Sequence, residues 1–590
     1  MQKCKFEYYK PQIRKVHRYR MPRSYYRSGL WGSLPSYLEG PKAHHHLRPY
    51  MKLQLLHLLA IASTLTGYGI TQSLSSPTFH WPNPLLSWSD QQLYEGLLGS
   101  AVANCNPRDD STISAQWLRL AYHDMATHDV DDGTGGLDAS IMYELDRAQN
   151  VGQDLVESLG DFNAFLTITP FFGMADTIAL GTVLAVVGCG GPIIPFSAGR
   201  VDATVAGPAT VPEPQQDLAT HIELFRQQGF NETEMIALVA CGHTIGGVTQ
   251  VDFPTIITDP SVVVDTFDTT PAFDNAIISE YLQNTTQDVL VVGPNITTRS
   301  DFRIFSSDGN VTMQSLLSPD TFSETCTALL QRMINTVPST VNLTDPITEP
   351  FNYLINDPFL SYQDGAFIMM TALRVLSLSS SATVTMLWAD QQGDSVCPSA
   401  GCSVQPYNTQ SVSFSIVGQA LGLAATRDFF NATINATSSI SKFWFEINNN
   451  DGSDPVVVDN GGSGFVIEQD PTLSLFLDVL RSAGVGGGPT VVFRLVVAIL
   501  GDAASITGSI TTFQPVSTAP APPFLPTINV ISLELDESNP PEGGYTFFTA
   551  NVTLVPSTFL SITANVGGVT YTVENVDLNT ASNFFRFVEG

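Results

Sequence analysis

Positive charge is what this chain has least of: 26 Lys and Arg stand against 56 Asp and Glu, a formal charge of −30 over 590 residues. The shortage is uneven. Residues 1–50 hold 11 of the basic side chains and 2 of the acidic ones, leaving 15 basic and 54 acidic residues for the rest. A surface so acidic repels phosphate backbones and anionic lipid, which argues against nucleic acid as a partner. Long apolar runs are missing too. The stretch at residues 53–65 has the length of a signal-peptide core and is too short to cross a bilayer, so no membrane span is expected. Cysteine is sparse, with six residues after position 50: Cys105, Cys189, Cys241, Cys326, Cys397 and Cys402. Beyond residue 72 only five histidines remain, His80, His123, His128, His221 and His243, so any imidazole chemistry has few places to reside.

What is present divides the chain. With 43 % apolar and 14 % charged residues the composition is globular, and its length predicts two or three domains. Residues 1–50 read as a basic leader containing the run His44-His45-His46. Residues 51–72 read as a secretory signal, which translation from Met51 would place at the N-terminus. Asn-x-Ser/Thr acceptors at Asn231, Asn284, Asn295, Asn310, Asn342, Asn431, Asn435 and Asn551 agree with a secreted, extracellular glycoprotein. Six cysteines permit up to three disulfides whose pairing spacing leaves open; Cys397 and Cys402 are close enough for a local loop, and Cys241 suits either a bridge or a free core thiol.

Residues 90–378 show helical patterning between Gly/Pro loops, with helices expected at 116–125, 217–228, 232–244, 323–335 and 363–376. Asn231 is an N-cap with Glu234 three positions on. Residues 379–590 alternate or run in β-branched side chains between Gly, Asp and Asn turns, the texture of antiparallel β-structure. The fold class expected is therefore multidomain: a mainly α-helical domain followed by a β-rich, sandwich-like C-terminal region. The Pro-rich stretch 515–526 is a linker between two β modules or a crossover within one.

Two histidines sit where chemistry is expected. Arg119 and His123, four apart in Trp117-Leu-Arg-Leu-Ala-Tyr-His123-Asp124, share one helix face. A cation one turn away depresses the imidazole pKa and leaves it free to accept a proton. His243 ends the segment 234–243, followed by Thr244-Ile-Gly-Gly. Gly242, Gly246 and Gly247 leave room for a flat macrocycle, and neutral imidazole is the common proximal ligand of haem iron. Asp124, the Gly136 carbonyl, Asp138 and Ser140 are hard oxygen donors suited to calcium. Thr244, Asp268, Thr270 and Asp274 form a second such set.

Together these motifs resemble the plant, fungal and bacterial haem peroxidase superfamily, nearest its secreted fungal branch, over roughly residues 90–340. Arg119-Leu-Ala-Tyr-His-Asp124 resembles the distal helix motif and Ala240-Cys-Gly-His-Thr-Ile-Gly246 the proximal one. Gly199-Arg200-Val-Asp202 is similar to the family's structural segment. The resemblance implies haem b and two calcium ions as cofactors, with hydrogen peroxide and small organic reductants as partners. It implies that His123, oriented by Asn150, moves the proton of hydrogen peroxide and that Arg119 stabilises the charge developing as the O–O bond breaks. It also implies that His243 ligates iron and that Asp308 accepts the other N–H of His243. Calcium would be bound at Asp124, Gly136, Asp138 and Ser140, and again at Thr244, Asp268, Thr270 and Asp274. Thr112, Gln116 and Ile245 stand where manganese-oxidising relatives carry carboxylates, and Leu238 where ligninolytic ones carry a surface Trp. Phenol-like donors are therefore expected. The β-rich region also admits a different class, a non-catalytic wall- or glycan-binding protein on an inactive scaffold. Its Trp388 and Trp444 are expected in the core rather than on a sugar platform.

Overall fold

In this computed structural model the described residues are 81–166, 168–393, 401–467, 475–485, 491–515, 521–554, 558–582 and 586–588. The expected leader 1–50 and secretory signal 51–72 lie outside them, as do His80 and Cys397.

The helical part runs through α1 (Pro84–Glu95), α2 (Ile113–Met125), α3 (Gln153–Phe165), α4 (Met174–Gly188), α5 (Leu218–Gln227) and α6 (Glu232–His243). It continues with α7 (Ala276–Gln283), α8 (Val289–Val292), α9 (Ser300–Phe305), α10 (Val311–Ser315) and α11 (Pro319–Ile334). Local chemistry sets the starts. Thr112 caps α2 and Asp217 caps α5, while α6 opens with the reciprocal Asn231–Glu234 capping box. The centre is α4, buried almost all round. It packs on α2, whose Trp117 is fully buried with its indole N–H donating to Asp161 at 2.9 Å. Arg200 and Asp176 form a buried ion pair at 2.9 Å, and Asp202 accepts the first N–H groups of α4 from Met174 and Ala175. Two disulfides, Cys105–Cys189 and Cys241–Cys326, close the helical part; Cys241 is thus a bridge. Among the described residues no helix is long and apolar enough to cross a membrane.

Strands begin earlier than position 379. The segment expected as a helix over 363–376 is instead half of a hairpin, β1 (Tyr353–Gln363) with β2 (Ala366–Leu376). Asp364 and Gly365 turn it with φ of 49° and 76°, the backbone that a two-residue hairpin loop requires. The Leu/Met/Ala content of β2 favours a helix locally, but pairing on both edges overrides it. The helical domain therefore ends near Ile334, not at 378.

Further strands are β3 (Thr383–Ala389), β4 (Asn408–Ser411), β5 (Ala425–Asn435) and β6 (Lys442–Asn448). The sheet β1-β2-β5-β4 and a second sheet built on β3 and β6 share one apolar core with Phe367, Met386, Phe430 and Phe443, and Trp388 is buried in it. The last third adds β7 (Val491–Leu500), β8 (Ile506–Gln514), β9 (Thr527–Ser532), β10 (Tyr545–Leu554), β11 (Phe559–Val566) and β12 (Val569–Asp577). The sheet containing β7 and β10 shares a second core with the sheet β9-β8-β11-β12. β8 and β9 are antiparallel neighbours from Gln514↔Thr527 to Ser509↔Ser532. The described ends of the stretch 515–526 thus join two paired strands, and no module boundary falls there.

The β-region is fused to the helices. Fully buried Arg374 on β2 reaches Asp90 at 2.6 Å and Glu95 at 2.7 Å on α1, and Arg427 on β5 reaches Glu95 at 2.8 Å. The one-turn helix α12 (Ile416–Ala420) packs on α1 and α4, with the Ser415 N–H and hydroxyl donating to the carbonyls of Tyr94 and Leu93. Trp88, Phe171 and Phe559 meet edge to face across the same seam. A cleft of about 420 Å³ opens beside it, lined by residues including Trp88, Glu95, Phe165 and Arg427 and by none of the candidate histidines.

Candidate active site

Helices α2 and α6 pack against each other, and each carries one of the two histidines. His123, in the last turn of α2, is buried. Its Nδ1 lies 2.8 Å from the Asn150 Oδ1, and the Asn150 amide N–H donates to the Glu144 carbonyl at 3.0 Å. An amide oxygen only accepts, so Nδ1 carries the proton and Nε2 is left with its lone pair. Burial, and then the Arg119 charge, pull the His123 pKa down to about 3, against the Asn150 hydrogen bond. The imidazole stays neutral and able to take a proton. Arg119 is held by Asp154 at 2.7 Å and by the Val151 carbonyl at 2.8 Å. This anchor had no signature in the sequence. Tyr122 is tied to Gln228 at 3.2 Å and stacks on Phe225, and burial raises its pKa.

His243 ends α6 with about a third of its side chain exposed; its Nδ1 donates to the Asp301 Oδ2 at 2.6 Å. Asp301, opening α9, is thus the carboxylate that accepts the N–H of His243, not Asp308. The Asp308 oxygens instead accept the backbone N–H groups of Val311 and Thr312 and the Thr312 hydroxyl at the start of α10. Two aspartates seven apart lie at the starts of short helices, Asp301 in the first turn of α9 and Asp308 just ahead of α10, and only the tertiary approach of α9 to α6 selects between them. With Nδ1 engaged, Nε2 is the nitrogen available to a metal. Phe267 lies flat against the His243 ring, centroids 4.1 Å apart and planes 12° apart. Of the three glycines, only Gly242 borders open space. A side chain at Gly246 would meet Phe267, and one at Gly247 the backbone of residues 265–266.

The Asp124 carboxylate accepts N–H groups from Ala139 and Ile141 at 2.7 and 2.9 Å, and that of Asp138 accepts from Ser140 at 3.0 Å. Burial and then the charge of Asp138 push the Asp124 pKa well up, and burial also raises that of Asp138. The Ser140 hydroxyl is buried within reach of the Asp138 and Glu144 carboxyls. The Gly136 carbonyl receives only a 3.4 Å contact from the Thr127 hydroxyl. In the second set the Thr244 hydroxyl donates to the Asp274 carbonyl at 2.5 Å, and the Thr270 hydroxyl lies 3.2–3.3 Å from Asp268 and Asp274. One buried Asp268 oxygen has no partner, and burial raises that carboxyl to about 7. Among the described residues no cluster of three or more His, Cys, Asp or Glu side chains is placed to hold a metal. Each set therefore offers two carboxylates complemented by hydroxyl and carbonyl oxygens.

A model of the peroxidase family matches residues 100–315, from just ahead of α2 through α10. Among curated relatives, a WSC domain-containing protein of Arthroderma benhamiae is 35 % identical over 367 residues, 58 % of this chain and 50 % of that protein. That share of this chain is larger than the stretch matched by the family model, so the likeness extends beyond residues 100–315. A peroxisomal L-ascorbate peroxidase 5 of Arabidopsis thaliana is 38 % identical over 132 residues, 22 % of this chain and 46 % of that one. A mitochondrial cytochrome c peroxidase of Yarrowia lipolytica is 31 % identical over 161 residues, 26 % and 46 %. The chain spans half or less of the length of these three relatives.

Proposed function

Since residues 100–315 belong to the plant, fungal and bacterial peroxidase superfamily, we propose that the chain is a secreted haem peroxidase oxidising small, phenol-like donors with hydrogen peroxide. The observation that carries this is the pairing of two oppositely prepared imidazoles on adjacent helices. His123 is kept neutral with Nε2 unbonded, and His243 gives its Nδ1–H to a buried carboxylate that leaves its Nε2 free. Open space beside Gly242 and the unengaged Nε2 of His243 suit a flat metal-bearing ring.

Haem held by His243 would supply the redox centre through which donor electrons reach the peroxide O–O bond. The chain does the rest. Nε2 of His123 takes the proton from one peroxide oxygen and returns it to the departing oxygen as O–O cleavage proceeds. Asn150 fixes the tautomer that makes this possible. Arg119, anchored by Asp154, sets a positive potential where negative charge develops. Asp301 keeps the His243 ring oriented and electron-rich. The two oxygen sets fit calcium: an unpartnered carboxylate oxygen at Asp268 and crowded acids at both gain from a divalent cation. Such ions would tie the ends of α2 and α6 in place. Export, and membership of the secreted fungal branch, are supported by the two disulfides and by exposed acceptors such as Asn284, Asn342, Asn431 and Asn551.

A second reading, a wall- or glycan-binding protein on an inactive scaffold, draws support from one finding. One curated relative, matched over half of its length, is named for a WSC domain. The absorption spectrum of the haem-loaded protein, before and after one equivalent of hydrogen peroxide, separates the two. A rapid spectral change that is strongly slowed in His123→Leu supports the peroxidase. A haem spectrum indifferent to peroxide refutes it and leaves the scaffold reading.

A further inference from the structure

The cleft at the seam between helices and strands has a lining that packing alone does not call for. Trp88, Gln91, Gln92 and Glu95 stand at i, i+3, i+4 and i+7 of α1 and so share one face of that helix. A helix face laid against a sheet is normally apolar. This one carries two amides, a carboxylate and an indole. On the strand side the cleft is lined by Gln410 and Ser411 of β4, Ser413 just beyond it and Arg427 of β5. Phe165, the last residue of α3, joins them. The walls are fixed in place: Trp88 meets Phe171 and Phe559 edge to face, and the bonds from Ser415 to Leu93 and Tyr94 fasten α12 to α1.

The chemistry of this lining selects a class of ligand. Among the described lining residues only Glu95 and Arg427 are charged, and they pair with each other at 2.8 Å, while the second Glu95 oxygen takes Arg374 at 2.7 Å. No charge is left over to hold an anion or a cation. The side chains of Gln91, Gln92, Gln410, Ser411 and Ser413 form no hydrogen bond to other described residues. An apolar ligand would strip water from these groups and return nothing. Each amide offers two donors and an acceptor, and each hydroxyl gives and accepts. Beside them Phe165 presents an aromatic ring that is 46 % exposed. Uncharged donors and acceptors next to an open ring match a neutral saccharide, whose hydroxyls both give and accept and whose C–H faces lie on aromatic rings. At about 420 Å³ the cleft falls in the size range of small-molecule sites, about 300–1,000 Å³.

We propose that the seam cleft binds a neutral oligosaccharide, held by Gln91 and Gln92 on the helical side and by Gln410 on the strand side, with a sugar ring against Phe165. The site is separate from the candidate histidines and rests on neither reading of them. Neither the helical nor the strand-rich part has it alone, which gives the fused seam a task besides stability. Fixed walls limit the ordering that binding must impose.

Titration calorimetry and saturation-transfer NMR on the full chain test this without peroxide, so failure here leaves the peroxidase reading untouched. The probes are laminaritriose and chitotriose as neutral trisaccharides, with trigalacturonic acid as the charged control. At least one neutral probe is expected to bind with a Kd of about 1 mM or tighter, and the charged one to stay free. Gln91→Ala and Gln410→Ala, one from each wall, should each weaken binding about five- to tenfold. Phe165→Ala should remove the saturation transfer to the sugar C–H protons. Gln410 is exposed on an edge strand, so Gln410→Ala should keep the wild-type unfolding midpoint and remain readable even where Gln91→Ala does not fold. No binding of either neutral probe, unchanged affinity in Gln410→Ala, or trigalacturonic acid bound as tightly as the neutral probes overturns the proposal.

Discussion

The reactivity of His123 rests on its staying neutral where an ordinary histidine is charged, and this has a measurable pH signature. Burial and the Arg119 charge bring its pKa from 6.5 to about 3. At pH 5 an imidazole of ordinary pKa is about 3 % neutral, whereas His123 is about 99 % neutral, so the environment is worth roughly thirtyfold in available base at that pH. The assay is the second-order rate of the haem-loaded protein with hydrogen peroxide, by stopped flow with brief pH jumps from neutral solution. A flat profile from pH 7 to about 4, falling with a midpoint near 3, is expected. Removing the charge in Arg119→Leu should move the midpoint upward, because Arg119 is the second cause of the depression. The shift also bears on stability. Between pH 6.5 and about 3 the unfolded chain binds a proton at His123 that the folded chain does not. Stability is therefore full above 6.5 and declines as pH falls through that window, by about 5 kcal/mol at its lower end. A rate that drops tenfold between pH 7 and 5.5, with a midpoint near 6.5, would refute the reasoning.

Asp301→Ala should alter the haem spectrum, and Asp308→Ala should leave it unchanged while costing about 1 kcal/mol in denaturant unfolding through loss of its bonds to α10. Equal spectral effects would contradict the assignment of Asp301. Arg374→Met strands the buried Asp90 carboxylate, while Glu95 keeps Arg427, and should cost about 3–5 kcal/mol, measured as a shift in unfolding midpoint, whereas neutralising Asp90 as well should recover most of it. Calcium at a hundred times its dissociation constant should stabilise the protein by about 2.7 kcal/mol against a chelator-treated sample; no change in melting temperature argues against both oxygen sets. Asn150→Ala frees the His123 tautomer and should slow the peroxide reaction about tenfold or more while leaving the His243 side of the site untouched.

What the sequence made legible is what local chemistry decides. The Asn231–Glu234 capping box and the Asp217 cap declare themselves within four residues, because the side chain bonds its own helix's backbone. The face shared by Arg119 and His123 follows from helix geometry alone. The partners of those side chains do not. Asp154, Asp301 and Gln228 lie 35, 58 and 106 positions from the residues they hold, and no periodicity marks them. Strand β2 shows the same limit from another side. Its composition favours a helix, and only pairing with β1 and β5 decides otherwise, although Asp364-Gly365 was a local sign of the hairpin. Pairing of Cys105 with Cys189 and of Cys241 with Cys326 likewise depends on helices meeting in space.

The cluster formed by Arg374, Arg427, Asp90 and Glu95 constrains how the chain can be made. Glu95 is translated 279 residues before Arg374 and 332 before Arg427. At about 5–20 residues per second the ribosome needs roughly 15–65 s to cover that interval. For all of it, α1 emerges with its acids unneutralised and its seam with α12 unfilled. Every residue of the candidate active site is synthesised within that wait, so the helical part that carries it must persist, partly assembled, until the strands that complete its seam arrive.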